Sequence, residues 1–253
     1  MKLISWNVNG IRAAWKKGLP EFVVAENPDV LCLQETKIQR EQLTPELTDL
    51  PGYRSHWSMA EKKGYSGVAT YTRPEPLAVA TNFGSPALDT EGRVLHVEYP
   101  DFHLFNGYFP NSGMGPERLA HKMQFYDEFL SLTERLRKGG KGIVVCGDVN
   151  TAHTEIDIAR PKENENTPGF MAVERAWVSK LVAHGYHDTF RIFVAEPGHY
   201  TWWDMKTAGR ARNVGWRIDY FFVSDELRGR IKAAGIFPSI QGSDHCPITL
   251  EIE

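Results

Sequence analysis

The chain has 253 residues, near the upper limit for one hydrophobic core, and no Ser/Gly/Pro-rich linker or long charge run divides it, so residues 1–253 read as one domain. With 42% hydrophobic and 24% charged residues, the composition excludes disorder and fibrous repeats, and no apolar stretch approaches the roughly 20 residues of a membrane span. A net charge of −3 argues against nonspecific polyanion binding and leaves room for a local basic face only.

In chain order, Leu3-Ile4-Ser5-Trp6 reads as a buried strand running into Asn7-Val8-Asn9-Gly10. No basic-then-apolar leader precedes it, so an intracellular, cytoplasmic location is expected. The spacing of Leu19, Phe22 and Val23 predicts one helix over 13–26, stopped by Pro28-Asp29; Val30-Leu31-Cys32-Leu33 is then a second strand that ends in Gln34-Glu35-Thr36-Lys37. Runs rich in β-formers at 53–57, 67–72, 93–99 and 103–109, parted by Gly, Pro and Asp turns, read as antiparallel strands. Pro116 opens a helix at the favoured first-turn position, and Leu119, Met123, Phe125, Tyr126 and Phe129 begin its apolar face, which ends at Gly139-Gly140. A strand through Cys146, a polar segment over 151–168, a helix near 173–183 and strands near Tyr220 and Ile248 complete the chain. Strands and helices interleave without a period, which predicts a mixed-sheet α/β sandwich rather than a doubly wound parallel sheet. Cys32, Cys146 and Cys246 are scattered and odd in number, so neither a disulfide framework nor a zinc site is supported.

Six apolar runs end in carboxylate, carboxamide, phenol or imidazole side chains. Besides the two above, they lead to Tyr108-Phe109-Pro110-Asn111, Gly147-Asp148-Val149-Asn150, Asp219-Tyr220 and Ser243-Asp244-His245. Ligand chemistry in layered α/β proteins gathers where strands give way to loops, so the six ends predict one site. Glu35 and Asp244 are hard oxygen ligands without a zinc-spaced His or Cys pair, which points to Mg²⁺ or Mn²⁺ and hence to a phosphate substrate. Asp148 and Asn150, two apart on an extended segment, face one side, where the carboxylate takes a proton from water and the amide holds that water or a phosphate oxygen. Asp219 and His245 form a carboxylate–imidazole pair that favours the charged ring beside a phosphate. Alone, each Asp reads as a turn cap and each His as a structural residue; together they describe phosphodiester hydrolysis. The other histidines, His153 included, read as structural. Trp203 reads equally as core, whereas Trp202 and Trp216 flank a stretch, 205–216, that carries Lys206, Arg210 and Arg212 without a carboxylate and is followed by Arg217. That stretch is expected to contact phosphate, with the two tryptophans stacking on an extruded sugar or base. Lys62 with Lys63, and Arg12 with Lys16 and Lys17, are shorter basic spots that read as solvated surface.

The strings Ile4-Ser5-Trp6-Asn7-Val8-Asn9-Gly10-Ile11-Arg12, Leu33-Gln34-Glu35-Thr36-Lys37, Gly147-Asp148-Val149-Asn150, Asn213-Val214-Gly215-Trp216-Arg217-Ile218-Asp219-Tyr220 and Ser243-Asp244-His245-Cys246-Pro247 resemble the exonuclease III family of apurinic/apyrimidinic endonucleases nearly end to end. The resemblance implies a four-layer α/β sandwich of the DNase I-like, endonuclease/exonuclease/phosphatase type, with two mixed β-sheets flanked by helices. It implies a monomer that acts on double-stranded DNA containing abasic sites. With Mg²⁺, it would cut on the 5′ side of the abasic site and leave a 3′-hydroxyl and a 5′-deoxyribose phosphate. 3′-Phosphodiesterase or 3′ to 5′ exonuclease action is expected beside it.

By the same resemblance, Glu35 is the main metal ligand, with Asp244 and Asn9 near the metal and Asn7 orienting the site. Asp148, helped by Asn150, activates or positions the water; His245, held by Asp219, contacts the scissile phosphate; Tyr108 with Asn111 stabilises the transition state or departing oxygen. Arg12, Lys37, Gly64, Tyr65, Arg93 and Asn164 fall where similar proteins touch the DNA backbone, and Trp202, Trp216 and Ile218 where they close an apolar pocket over the abasic sugar. A normal nucleotide carries a base that such a pocket rejects, while a bare sugar flips out cheaply. This sequence departs from the family pattern at Asn9, where some members have an aspartate, at Met114, an apolar wedge where relatives use an arginine, at Thr167 in place of an asparagine, and at Trp202 in place of a phenylalanine. Inositol polyphosphate phosphatases and sphingomyelinases share the catalytic set; the 213–220 string and the basic, aromatic surround favour DNA. A silent DNA-binding module is disfavoured because no catalytic position is vacant.

Overall fold

A computed structural model of the chain describes residues 1–82 and 84–253. The strands are β1 (Lys2–Asn7), β2 (Val30–Gln34), β3 (Arg54–Ser58), β4 (Val68–Thr72), β5 (Ala78–Ala80), β6 (Val94–Glu98), β7 (Phe102–Tyr108), β8 (Gly142–Asp148), β9 (Tyr186–Asp188), β10 (Trp202–Trp203), β11 (Gly215–Trp216), β12 (Asp219–Ser224), β13 (Ile231–Ile236) and β14 (Ile248–Ile252). They build two six-stranded sheets, in the orders β13-β14-β1-β2-β4-β3 and β5-β6-β7-β8-β12-β9, plus the β10-β11 ribbon. Each large sheet contains one parallel pair at its centre, β1 with β2 and β7 with β8, and antiparallel pairs elsewhere. A parallel pair needs a crossover, and helices supply both: Ile11–Trp15 and Leu19–Glu26 in the first sheet, Pro116–Arg137 in the second.

The layering follows from side-chain alternation. Leu3, Val30 and Cys32 of one sheet pack on Leu104, Val144, Cys146 and Phe221 of the other. The intervening residues Ile4, Trp6, Leu31 and Leu33 face out and are covered by Ile11, Leu19, Phe22 and Val23. Phe105, Ile143 and Val145 face the opposite way, against Phe125, Tyr126, Phe129 and Trp177. The result is the expected four-layer sandwich of two mixed sheets between helices. Central strands buried on both sides read as unbroken apolar runs, which is why they were visible in the sequence. All three cysteines are free and buried. Among the described residues no helix is long and apolar enough to cross a membrane.

The expected helix over 13–26 is two helices. Gly18 takes a left-handed conformation (φ 102°) and Pro20 begins a new first turn, so the helical run breaks and restarts. The segment over 151–168 is not a plain loop; it holds a short 3₁₀ turn, Glu155–Asp157, and one helical turn, Pro161–Asn164.

The two sheets are bonded to each other just below their polar ends. Gln34 Nε2, on β2, donates to Asn106 Oδ1 on β7 (2.7 Å), and Asn106 Nδ2 donates back to the Ala69 carbonyl on β4 (2.8 Å). Close approach of backbones is also required within the second sheet. Gly147 has φ 129°, and a Cβ there would lie 1.9 Å from the Gly107 carbonyl oxygen of the paired strand. Gly147→Ala is therefore expected to lower stability by on the order of 3 kcal/mol, from the clash and the strained φ together, and to displace the adjacent Asp148. Urea unfolding alongside nuclease assays of the variant checks both effects.

Candidate active site

Strand ends assemble the site. Tyr108, Asp148 and Asp219 are neighbours across β7, β8 and β12, since Tyr108 pairs with Asp148 and Asp148 with Asp219. From the first sheet come Asn7, the last residue of β1, and Glu35, directly after β2. The loop before β14 contributes Asp244 and His245. Several of these turns use left-handed backbone at residues other than glycine: Asn9, Glu35, Lys37 and Asn150 have φ between 46° and 54°. Such clustering of strained positions is characteristic of functional sites.

The fully buried Asn7 bridges the two sheets. Its Nδ2 donates to Glu35 Oε1 (2.9 Å) and to Asp148 Oδ2 (2.9 Å), while its Oδ1 accepts the Asn9 backbone N–H (3.0 Å), which fixes the amide orientation. Asn150 supports Asp148 from the other side, through its backbone N–H (2.8 Å to Oδ1) and its Nδ2 (3.2 Å to Oδ2). Asn111 Nδ2 in turn donates to Asn150 Oδ1 (3.2 Å). Asp219 Oδ2 accepts from His245 Nδ1 (2.9 Å) and from Thr201 Oγ1 (2.6 Å), and His245 Nε2 lies 3.8 Å from Asp148 Oδ2.

Electrostatics divide the roles of these groups. Burial, with the nearby charges of Asp219 and Glu35, pushes the Asp148 carboxyl up to about 7. Burial works against the His245 cation, but Asp219, and more weakly Asp148 and Asp244, outweigh it and lift the ring to about 10. Burial also disfavours the Glu35 carboxylate, yet Lys37 (2.9 Å) and the Asn7 amide hold it below its ordinary range. Burial and the Glu35 charge keep the Tyr108 phenol protonated, its titration moved well above 10. At neutral pH the site therefore has a carboxyl poised to exchange a proton, an imidazolium, a phenol donor and a charged glutamate.

Ligand atoms of Glu35, Asp148 and His245 lie within 4.8 Å of one another, a group that could hold a metal ion. Asp244 stands beside it, its carboxylate accepting from Asn9 Nδ2 (2.9 Å) and Trp202 Nε1 (3.1 Å). Glu35, Asp148 and Asp244 offer carboxylate oxygens and no thiol, which suits a hard divalent cation, whereas His245, protonated at neutral pH, is a hydrogen-bond donor in this group rather than a ligand.

A cavity of about 250 Å³ opens from these groups and is walled by Trp202, Trp216, Ile218 and Thr167. Trp202 and Trp216 are cross-strand partners in the ribbon, their rings 6.1 Å apart and edge-to-face at 86°. Trp203 packs in the core, under the Arg210 guanidinium (4.6 Å). Arg12, Lys16 and Lys37, with Gly10 and Gly64, line a separate open depression. Met114 projects from its loop, 81% exposed, and Lys206 and Arg212 are also exposed.

Other basic residues expected to face phosphate are engaged elsewhere. Arg93 is only 2% exposed; it pairs with Glu91 (2.6 Å), donates to Tyr65 Oη (2.8 Å) and stacks on Tyr108 (4.5 Å), so it lies beneath the surface. Arg210 donates to the carbonyls of Pro238 (2.9 Å) and Ser243 (3.2 Å), and Asn164 Nδ2 returns to the Arg160 carbonyl (2.9 Å). Arg217, expected at phosphate, is buried between Asp157 (2.7 Å) and Asp188 (2.6 Å). Two features of the site carried no sequence signal. One is Thr201, whose Oγ1 also accepts from the N–H groups of Ile218 and Asp219 (3.1 Å each). The other is a buried Lys122–Glu174 ion pair (2.6 Å) behind Asn150.

The model of the endonuclease/exonuclease/phosphatase family matches residues 4–245. An exodeoxyribonuclease of Bacillus subtilis (strain 168) is 42% identical over 254 residues, covering 100% of this chain and 99% of its own. The DNA repair nuclease APEX1 of Danio rerio is 42% identical over 253 residues, covering 99% of this chain and 81% of its own. Among solved structures, a Neisseria 3′ phosphatase bound to a product DNA hairpin has a TM-score of 0.89 at 28% identity, covering 100% of this chain and 99% of that one.

The Arg217 pairs set the segment that carries Trp216, Ile218 and Asp219, and Arg191 (2.6 Å) shares Asp157 with it. Burial opposes the Asp157 carboxylate, but Arg217 and Arg191 prevail and hold it down at about 2. Asp157→Asn breaks a buried pair and is expected to cost about 3 kcal/mol at neutral pH. Because the folded pKa is depressed, this stabilisation is complete above the ordinary carboxyl pKa and is lost as pH falls through about 2. Denaturation of wild type and variant across acidic pH should show their difference constant above about pH 5 and shrinking below it.

Proposed function

We propose that this chain, which belongs to the endonuclease/exonuclease/phosphatase family, is a metal-dependent DNA-repair nuclease that hydrolyses the phosphodiester on the 5′ side of an abasic site in duplex DNA. It is a phosphodiester hydrolase of the exodeoxyribonuclease and apurinic/apyrimidinic endonuclease kind. The observation that carries the finer reading is the junction of two features. The Asn7-bridged pair Glu35 and Asp148, with His245 and Asp219, borders the small cavity walled by Trp202, Trp216 and Ile218.

In this reading Glu35 holds Mg²⁺, with Asp244 and Asn9 beside it. Bound there, the ion would neutralise charge on the phosphate as the bond order changes. The bare deoxyribose enters the aromatic cavity, leaving its 5′ phosphate against His245. The imidazolium, anchored by Asp219 through Nδ1, presents Nε2–H to a non-bridging oxygen. Asp148 takes a proton from a water held by Asn150, and the water oxygen bonds to phosphorus as the bond to the neighbouring 3′ oxygen breaks. Tyr108, still protonated, and Asn111 face that departing oxygen; the phenol passes its proton to it, the oxygen leaves as a 3′-hydroxyl, and solvent reprotonates the phenolate. A 3′ end lying in the same cleft presents the same bond, so exonuclease and 3′-phosphodiesterase action need no second site. Arg12, Lys16 and Lys37, lining one depression, are suited to the phosphates of the incised strand, and exposed Met114, Lys206 and Arg212 to the flanking duplex.

Asp148→Asn removes the proton acceptor and keeps the shape, so incision of an abasic duplex should fall by at least ~10²-fold while binding of that duplex persists. Retained activity would refute the assignment. Trp216→Ala should weaken discrimination between abasic and intact duplex in competition incision assays; an unchanged ratio returns Trp216 to a packing role. Chelation should abolish incision and added Mg²⁺ restore it, with product ends identified on sequencing gels as 3′-hydroxyl and 5′-deoxyribose phosphate.

A further inference from the structure

Lys122 lies in the second turn of the helix Pro116–Arg137, and its side chain is fully buried. All its hydrogen bonds run toward the active-site loops: Nζ donates to the Asn150 carbonyl (2.7 Å), Thr151 Oγ1 (2.8 Å) and Glu174 Oε1 (2.6 Å). Glu174, also without solvent exposure, collects donors from two further segments. Its Oε1 accepts from Ser112 Oγ (2.7 Å), and its Oε2 from the backbone N–H groups of Gly169 (2.7 Å) and Met171 (3.1 Å).

Each of those segments carries part of the site. Ser112 follows Asn111, Asn150 holds Asp148, and Gly169 is part of the cavity wall. Gly169 also lies close to Asn150 and to the Trp216 ring across the cavity wall, since a Cβ there would come within 3.1 Å of the Asn150 carbonyl oxygen and 3.2 Å of that ring. The ammonium satisfies three acceptors from one point, and the carboxylate four donors, the ammonium among them. An apolar pair of similar volume would fill the space but leave the Asn150 carbonyl, the Ser112 hydroxyl and the Gly169 amide to reorient. Asn150 is the most sensitive of these because it is held in the left-handed region (φ 54°).

We infer that Lys122 and Glu174 are positioning residues: the buried pair fixes the loops after β7 and β8 to the cavity wall, so that the Asn150–Asp148 unit and the sugar pocket keep one mutual geometry. The kinetic part of this inference rests on the nuclease reading above; the geometric part does not.

The test compares wild type, Lys122→Met and the double variant Lys122→Met/Glu174→Gln. Thermal melting, steady-state incision of an abasic duplex and hydrogen exchange at Gly169 and Met171 are measured for each. Lys122→Met strands a buried carboxylate, so both melting temperature and kcat should fall. The double variant removes that charge and should recover most of the melting temperature, while kcat stays down about 10²-fold with little change in KM, the scale of misplaced catalytic groups. Exchange at the Gly169 amide should remain at least about tenfold faster than in wild type. Recovery of kcat together with melting temperature would overturn the inference and leave the pair a stability element. Unchanged exchange in either variant would also overturn it. If wild type fails to incise the abasic duplex, the proposed function falls, and hydrogen exchange alone then decides for or against the tether.

Discussion

One carboxamide, that of Asn7, holds together two carboxylates carried by two different sheets. Its two N–H groups are spent on Glu35 and Asp148, and its oxygen is spent on the Asn9 amide, so it has no alternative orientation. Two carboxylates brought this close, one buried and one half-buried, would repel, and an intervening donor is what makes their approach tolerable. The remaining imbalance appears in the pKa values: Glu35, next to Lys37, stays charged, whereas Asp148, deeper and facing Asp219, is pushed up to about 7. The roles proposed for them, metal ligand for Glu35 and proton acceptor for Asp148, call for such opposite settings.

That arrangement demands rigidity of the frame behind it. The Gln34–Asn106 bond ties β2 to β7 one residue before Glu35 and two before Tyr108, so the sheets do not slide at the level of the site. The turns beyond are strained, with Asn9, Glu35, Lys37 and Asn150 all left-handed at a cost of order 1 kcal/mol each. Hydrogen bonds at the turns, such as Gly10 N–H to the Glu35 carbonyl (2.7 Å) and Asn150 N–H to Asp148, supply the compensation.

The strands and their polar ends were legible because strands buried on both faces write unbroken apolar runs, and a carboxylate at the end of one is conspicuous. Basic residues were not legible in the same way. Arg217 follows Arg210 and Arg212 in a carboxylate-free stretch and looks like part of a phosphate surface, yet its partners, Asp157 and Asp188, lie 60 and 29 residues away. Arg93 is similarly taken by Glu91, and Arg210 by backbone carbonyls that exist only once the loop has folded. Charge alone in a sequence says that a partner is needed, not whether that partner is a phosphate or the protein itself. Lys122 went unnoticed for the converse reason: on a helix with many exposed charges, one buried cation has no local signature. The break of the first helix at Gly18 and Pro20 was legible in principle, but the apolar spacing on either side concealed it.

Specificity and chemistry share atoms in this site. Trp202, which walls the cavity, donates its indole N–H to Asp244, the carboxylate that also accepts from Asn9. Its backbone also bridges to that of His245, and it pairs with Trp216 across the ribbon. Thr201, one residue earlier, holds Asp219 and thereby the imidazole. Two consecutive residues, Thr201 and Trp202, thus tie the wall of the cavity to the orientation of Asp244 and of the His245 imidazole. On the proposed function, a nucleotide whose base kept its sugar out of the cavity would fail to seat against Trp202, and its phosphate would lie off the position between Asp148 and His245. In the proposed reaction, selection for a missing base would therefore act at the reacting phosphorus as well as at binding, since occupancy of the pocket and alignment of the scissile bond would depend on the same short stretch of chain.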